Sequence, residues 1–274
     1  MLLLATALAA EPTLDASVGA SYWRLGFNVG VRPGLVIDMP WQQEGSMLMG
    51  SAALKPQLDV AASPAFARVG GRLRFEPIAM LDITPYAYGT AYFGNFQTVV
   101  GYDDWDVNYG DNDTIAEYIE EDPTRQATGK GVHAGINGTV KAKAGPVIVL
   151  ANGDLGRWWV QSAATEDNDY FFEREYEVMM RAGQTGGDTM FMLNGLVLYE
   201  LDRDTEDDKY LRAGSITTWR RTFTADDEVL RTGLLVTATK GRLTHVVLVQ
   251  PYLRDRAYET VMPPFTAYQL KFAL

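Results

Sequence analysis

The stretch from Val132 to Ala144 reads V-H-A-G-I-N-G-T-V-K-A-K-A, with a small or apolar residue at every second position. The residues between them, from His133 to Lys143, are mostly polar. A period of two predicts a β-strand that presents two chemically different faces. The stretch is longer than the roughly five or six residues of an ordinary strand. Its length suits a tilted strand that crosses a lipid bilayer, which needs roughly 9–11 residues.

The same alternation recurs along the chain and predicts about twelve strands. These strands are 14–22, 27–37, 52–60, 65–76, 81–93, 132–144, 147–159, 189–201, 211–219, 230–240, 243–253 and 264–274. We therefore expect an all-β protein, a single antiparallel, up-and-down, transmembrane β-barrel over residues 11–274. A soluble sandwich or a lipocalin-type barrel would show the same alternation with its polar face outward.

Loop lengths favour the membrane barrel over the soluble alternatives. Two long acidic breaks, 94–130 and 161–187, follow odd-numbered strands and therefore lie at the same end. Tight turns at 76–79, 144–146 and 240–241 follow even-numbered strands and lie at the opposite end. Short periplasmic turns and long external loops are typical of outer-membrane barrels. Aromatic residues near strand ends, such as Trp158 and Trp219, also fit the rings found at membrane interfaces.

The C-terminal residues 268–274, Y-Q-L-K-F-A-L, resemble the last strand of bacterial outer-membrane proteins. In those proteins the strand alternates apolar residues and usually ends in an aromatic residue. Tyr268, Leu270 and Phe272 fit this pattern, whereas the last residue is Leu274. The resemblance covers this strand and the general barrel pattern, and it implies a bacterial outer membrane as location and membrane lipid as surroundings.

The N-terminal residues 1–10, M-L-L-L-A-T-A-L-A-A, predict the remnant of a secretory signal. They combine a short apolar core with an A-x-A pattern at 7–9, although a basic segment is missing. A hydrophobic N-terminal tail is the alternative interpretation.

Composition narrows the possible partners. The chain has no cysteine, which excludes disulfides, thiolate chemistry and cysteine metal sites. Its net charge of −11 argues against nucleic acid as a partner. Two histidines make a zinc site unattractive. We expect no metal site, no cofactor and a monomer in the membrane.

The charges are distributed unevenly between strands and loops. The polar strand faces are mainly basic, although the whole chain is acidic. The bases predicted to face the lumen are Arg32, Lys55, Arg68, Arg72, Arg74, Lys141, Lys143, Arg212, Arg220 and Arg231. The acids predicted to face it are Asp59, Asp82 and Asp154. Rings of Arg or Lys set anion selectivity in pores, so the sequence favours a channel for passive diffusion of small anionic solutes.

Other interpretations of this barrel remain open. Small barrels fill their interiors with side chains, so pairs of lumen bases and acids would make a plugged structural barrel whose acidic loops bind a partner. The aromatic residues at 170–176 fit a folded constriction, a ligand contact or a partner surface.

The stretch 133–137, H-A-G-I-N, resembles a motif of some outer-membrane lipases, but Gly135 replaces the nucleophilic serine, so we assign no catalytic residue. The acidic stretch 110–114, G-D-N-D-T, fails the spacing of a calcium loop.

Overall fold

The computed structural model describes residues 10–22, 26–43, 45–105, 112–165, 169–173, 176–183, 186–204, 207–255 and 264–273. The predicted signal remnant lies outside these ranges except for Ala10, and so do the first two residues of the stretch 110–114. The strands are β1 (Ala10–Tyr22), β2 (Gly26–Asp38), β3 (Ala53–Ala62), β4 (Phe66–Ile78), β5 (Leu81–Tyr92), β6 (Val100–Tyr102), β7 (Gly129–Ala144), β8 (Val147–Ser162), β9 (Tyr170–Glu173), β10 (Val178–Arg181), β11 (Asp188–Asp204), β12 (Lys209–Thr222), β13 (Glu228–Lys240), β14 (Leu243–Gln250), β15 (Tyr252–Asp255) and β16 (Phe265–Ala273).

Among the residues that the structure describes, helical structure occurs in the first long break alone. The helix α1 (Asn112–Glu121) is followed by a 3-10 turn at Pro123–Arg125. Among the described residues, no helix has the length and apolarity needed to cross a membrane.

Twelve strands form one closed antiparallel barrel, as the alternation predicts. Around the wall they run β1-β2-β3-β4-β5-β7-β8-β11-β12-β13-β14-β16, and β16 pairs back onto β1. The predicted strand 243–253 is divided at Pro251 into β14 and β15, and both parts pair with β13. The break falls at a proline, which lacks the N–H that a ladder hydrogen bond needs.

The two faces of the wall are inverted relative to a soluble protein. Val69, Ile136 and Val140 point outward and are 58%, 48% and 54% exposed. Asp59 and Glu76 point inward and are 2% and 4% exposed. Soluble proteins rarely bury carboxylates while exposing branched apolar residues in a continuous belt. A polar interior with an apolar exterior is the arrangement of an outer-membrane barrel, and this chain has that architecture.

The connections are sorted by length as the sequence predicts. The tight turns, such as Gly145-Pro146 and Gly241-Arg242, lie at the end where both barrel termini lie, together with the longer connection 39–52. The two long connections, 93–128 and 163–187, lie at the other end. Within them, β6, β9 and β10 form a separate three-stranded sheet. We call this sheet together with α1 the cap.

Candidate functional site

Two groups of charges line the lumen near the end with the tight turns. In the first, the Glu76 carboxylate accepts a hydrogen bond from Lys55 Nζ at 2.6 Å and pairs with Arg74 Nη2 at 2.5 Å. Lys141 Nζ lies 3.9 Å from the same carboxylate, and Arg74 also pairs with Asp82. One buried carboxylate therefore forms ion pairs with several bases, so this part of the wall has more bases than acids.

The second group is centred on Glu200. Lys143 Nζ donates to Glu200 Oε1 at 2.8 Å, and Arg212 Nε donates to Glu200 Oε2 at 3.1 Å. Arg203 lies 3.9 Å from the same carboxylate. The predicted lumen bases Lys143 and Arg212 thus share a single acid across β7, β11 and β12.

A cavity of about 530 Å³ occupies the middle of the lumen. The charged residues that border it are Arg32, Asp59, Arg68, Arg72, Arg74, Asp82, Lys141 and Asp154. Arg32 Nε donates to Asp59 Oδ2 at 2.5 Å. The guanidinium of Arg68 lies over the ring of Tyr88 at 5.3 Å. Arg72 makes no ion pair with any carboxylate of the described residues, although it borders the same cavity.

A buried polar network forms one wall of this cavity. Tyr86 Oη donates to Asp154 Oδ1 at 2.6 Å and lies 2.8 Å from His133 Nε2. Asn137 Nδ2 donates to the other oxygen of Asp154 at 3.2 Å. The imidazole ring of His133 stacks on the indole of Trp158 with ring centroids 3.5 Å apart. The predicted lumen acid Asp154 is therefore bonded to neutral partners, in contrast to Asp59 and Asp82.

The cap closes over the other end of the barrel. Val178 and Met180 of β10 pack against the inward-facing residues Trp158, Met190 and Val229 in one buried cluster. Met179, on the opposite face of β10, packs against a second cluster that contains Ile115 of α1 and the ring of Tyr102. The hairpin of β9 and β10 is thus held between the barrel wall and the helix. Of the three interpretations that the sequence left open for 170–176, the packing of the described residues favours a folded constriction.

The tip of the hairpin reaches two of the predicted lumen bases. Arg231 Nη1 donates to Glu177 Oε2 at 2.6 Å, and Tyr252 Oη donates to Glu177 Oε1 at 2.8 Å. Arg220 Nη1 lies 3.6 Å from the same carboxylate and donates to the carbonyl of Tyr176 at 2.5 Å. Arg220 and Arg231 are therefore engaged by the cap, a role that the alternation of β12 and β13 did not indicate.

A second cavity, of about 610 Å³, lies beside the hairpin. Its charged residues are Glu173, Glu177, Arg220 and Arg231. Tyr176 borders the first cavity and Glu177 borders the second, so the hairpin tip stands between them.

The outer side of the cap carries its own ion pairs. Arg125 donates to both oxygens of Asp103, at 2.7 and 2.8 Å, and these hydrogen bonds lower the pKa of the Asp103 carboxyl. The side chain and backbone of Thr124 hydrogen-bond to Asp122 and lower the pKa of that carboxyl too. Within the described residues, no group of three histidine, aspartate or glutamate side chains is placed to hold a metal ion.

No family model matches the chain, and no curated protein matches it. Solved structures that are similar in fold include the β domain of the Bordetella autotransporter BrkA, with 10% identity, a TM-score of 0.47, and coverage of 96% of this chain and 99% of that one. The NanC porin has 7% identity and a TM-score of 0.44, covering 95% and 98%. The KdgM porin, in complex with disordered oligogalacturonate, has 7% identity and a TM-score of 0.41, covering 95% and 97%. At these values no substrate or mechanism is transferred to this chain.

Proposed function

We propose that the protein is an outer-membrane channel for passive diffusion of small anionic solutes, and that it has no enzymatic activity. The observation that carries the proposal is the charge of the central cavity. Its described lining contains five cationic side chains and three carboxylates. A low-dielectric wall focuses the field of such an excess, so anions are concentrated in the cavity and cations are repelled.

Arg72 is the central residue of the proposed selectivity lining. The other bases of the mid-lumen, such as Arg32 and Arg74, are partly neutralised by Asp59 and Asp82. Arg72 keeps its charge available to a passing solute, because no carboxylate of the described residues pairs with it. The proposal includes a monomer surrounded by membrane lipid, with no nucleic acid and no cofactor as partners.

Ion conductance in a planar bilayer under a salt gradient tests this function. We expect the reversal potential of the purified protein to report anion selectivity. Arg72→Gln should lower the ratio of anion to cation permeability several-fold, because it removes a fixed positive charge from the cavity. Lys130→Gln is the matched control, because Lys130 lies on the outward face of β7 and leaves the lumen charge unchanged. Cation selectivity, or equal effects of the two substitutions, would contradict the proposal.

A closed barrel whose cap binds a partner is the second candidate function. The observation that favours it is the number of lumen bases already held by acids, including Arg231 by Glu177. This candidate predicts that folded, inserted protein stays silent in the bilayer even when the cap is loosened. Asp188 at the start of β11 accepts a hydrogen bond from the Arg181 backbone of β10 and so ties the cap to the wall. Conductance that appears when Asp188→Ala releases the cap would exclude this candidate, since the barrel beneath would then be open.

A further inference from the structure

We propose that Arg220, Arg231 and Tyr252 form a carboxylate-binding site, which Glu177 occupies in this structure and which solute carboxylates take over when the hairpin withdraws. The inference rests on the proposed function, because a channel for anions would bring such solutes to the cavity beside the hairpin. It adds a specific site and makes the cap responsive to the solute.

The three binding groups belong to the barrel wall, whereas their occupant belongs to the cap. Arg220 lies on β12, Arg231 on β13 and Tyr252 on β15, and β13 pairs with both β12 and β15. The guanidinium of Arg231 lies 4.1 Å from the ring centroid of Phe265 and 5.4 Å from that of Tyr252. Stacking on two rings of the wall fixes the guanidinium without help from the hairpin. Arg231 therefore keeps its position when Glu177 leaves, whereas Arg220 exchanges its bond to the Tyr176 carbonyl for the solute.

The site is unfavourable without a bound anion, because it holds two cationic side chains in a confined space. Arg231 and Glu177 are each only 2% exposed. Removing Glu177 alone would leave two cationic side chains without a counter-charge in a confined space, which is strongly unfavourable. Glu173, the other carboxylate at this cavity, accepts a hydrogen bond from the Tyr176 backbone and belongs to the hairpin as well. The charge must consequently be replaced by an anion from solution, and the planar donors of two guanidinium groups suit a carboxylate better than a spherical ion such as chloride.

Glu177 does not use all the hydrogen-bond donors of the site. The Nε atoms of both Arg220 and Arg231 are buried and find no hydrogen-bond acceptor among the described residues. Glu177 also holds a left-handed backbone conformation, with φ of +58°, which is unfavourable for a residue with a side chain. A solute carboxylate can approach with its own best geometry and use the remaining donors, as arginine–carboxylate pairs commonly do.

The second cavity, beside the hairpin, lets a solute bind next to Glu177 and compete with its carboxylate for the two arginines. Its volume of about 610 Å³ borders Glu177, Arg220 and Arg231 directly. A small dicarboxylate fits beside the hairpin before the exchange takes place. The exchange then substitutes one carboxylate for another, so the charge of the site is preserved while the hairpin is released.

A single introduced cysteine reports the position of the hairpin. The chain has no cysteine of its own, so Val178→Cys is the only thiol in the protein. Val178 is fully buried between the hairpin and the wall, so a water-soluble maleimide reaches this position only after the hairpin withdraws. The probe is succinate, compared with chloride at equal ionic strength so that general screening is the same. Heat-shifted migration in gels verifies that each variant is folded.

We expect succinate to accelerate labelling at least tenfold over chloride in otherwise unchanged protein. In Glu177→Gln the charge that holds the hairpin is lost, so labelling should be fast in either salt. Glu117→Gln, which removes an exposed carboxylate of α1, should behave like the unchanged protein. The proposal is overturned if succinate and chloride give the same rate, or if Glu177→Gln stays as protected as the unchanged protein.

Conductance of the same proteins separates this inference from the proposed function. Anion-selective conductance with equal labelling in both salts would leave the channel intact and overturn the carboxylate site. Folded protein that is silent in the bilayer, with and without Glu177→Gln, but labelled faster in succinate would overturn the channel and leave the site intact.

Discussion

Gly156 leaves the space that the central polar network of the lumen needs. A Cβ atom there would lie 2.6 Å from His133 Nε2 and 2.7 Å from Tyr86 Oη. Neither side chain moves away freely, because Tyr86 is bonded to Asp154 and His133 is stacked on Trp158. We expect Gly156→Ala to lower the free energy of unfolding by about 1–3 kcal/mol, the usual range for overpacking. Urea unfolding in lipid vesicles measures the change.

Gly153 provides the control on the same strand. A Cβ atom there would only touch the ring of Phe191, with its nearest atom at 3.8 Å. Gly153→Ala should be neutral or slightly stabilising, because glycine loses more backbone freedom on folding than alanine. Equal losses of stability for the two substitutions would show that strand propensity, and not the space around His133, determines the effect.

At the level of elements, Asp188 fastens the hairpin to the wall. This fully buried carboxylate at the start of β11 accepts backbone hydrogen bonds from Arg181 of β10 at 3.2 Å and from Thr224 and Ala225 at 2.9 and 3.0 Å. Asp188→Ala removes these three hydrogen bonds, and a hydrogen bond to a charged group contributes about 1.5–3 kcal/mol. We expect trypsin to cleave after Arg181 at least tenfold faster, because cleavage needs local opening of the cap. The barrel strands should remain protected.

Asp226 serves as the control for this substitution. It lies in the connection between β12 and β13, together with Thr224 and Ala225, but its ion pair with Arg221 is exposed to solvent. Exposed pairs contribute about 0–1 kcal/mol, so Asp226→Asn should leave the cleavage rate nearly unchanged. Asparagine also tolerates the left-handed backbone of this position, where φ is +48°. Faster cleavage in both variants would show that the connection between β12 and β13 as a whole, and not the Asp188 carboxylate, holds the hairpin in place.

The elements differ in how far the sequence determines them. The barrel strands follow from alternation within each segment. Every predicted strand is found with its ends shifted by a few residues, except that 243–253 is divided into β14 and β15. The cap has no such local signal, because β6 pairs with β9 across a separation of about 70 residues in the chain, and α1 packs on their sheet. No strand or helix was predicted within the two long acidic breaks, whereas in the structure Phe171, Phe172 and Met179 of the cap are almost completely buried.

The candidate site, like the fold, could be predicted from the sequence only in part. Alternation decides which face a residue occupies, so the lumen positions of residues such as Arg72 and Asp59 could be predicted. Alternation does not decide which charges meet. Lys143 bonds to Glu200 at a separation of 57 residues, and Arg231 bonds to Glu177 at a separation of 54. The tip of the hairpin enters the lumen by tertiary packing alone, so the carboxylate site has no signature in the sequence.

For the whole molecule, the apolar belt makes stability depend on depth in the bilayer. Ile136 lies near the middle of β7 on its outward face and is 48% exposed. A lysine at this depth faces the hydrocarbon, where a charged side chain costs about 2–4 kcal/mol. We therefore expect Ile136→Lys to lower the free energy of unfolding from lipid vesicles by that amount, measured by urea titration.

Ala144 provides the matched control on the same face of the same strand. It ends β7 beside the turn Gly145-Pro146, where a lysine side chain reaches the interface and the cost falls to about 0–1 kcal/mol. A large difference between Ile136→Lys and Ala144→Lys fits a barrel that spans the bilayer, since a soluble barrel has water at both positions. Equal, small effects would contradict the transmembrane orientation, and the anion-channel proposal, which requires a lumen isolated by lipid, would fail with it.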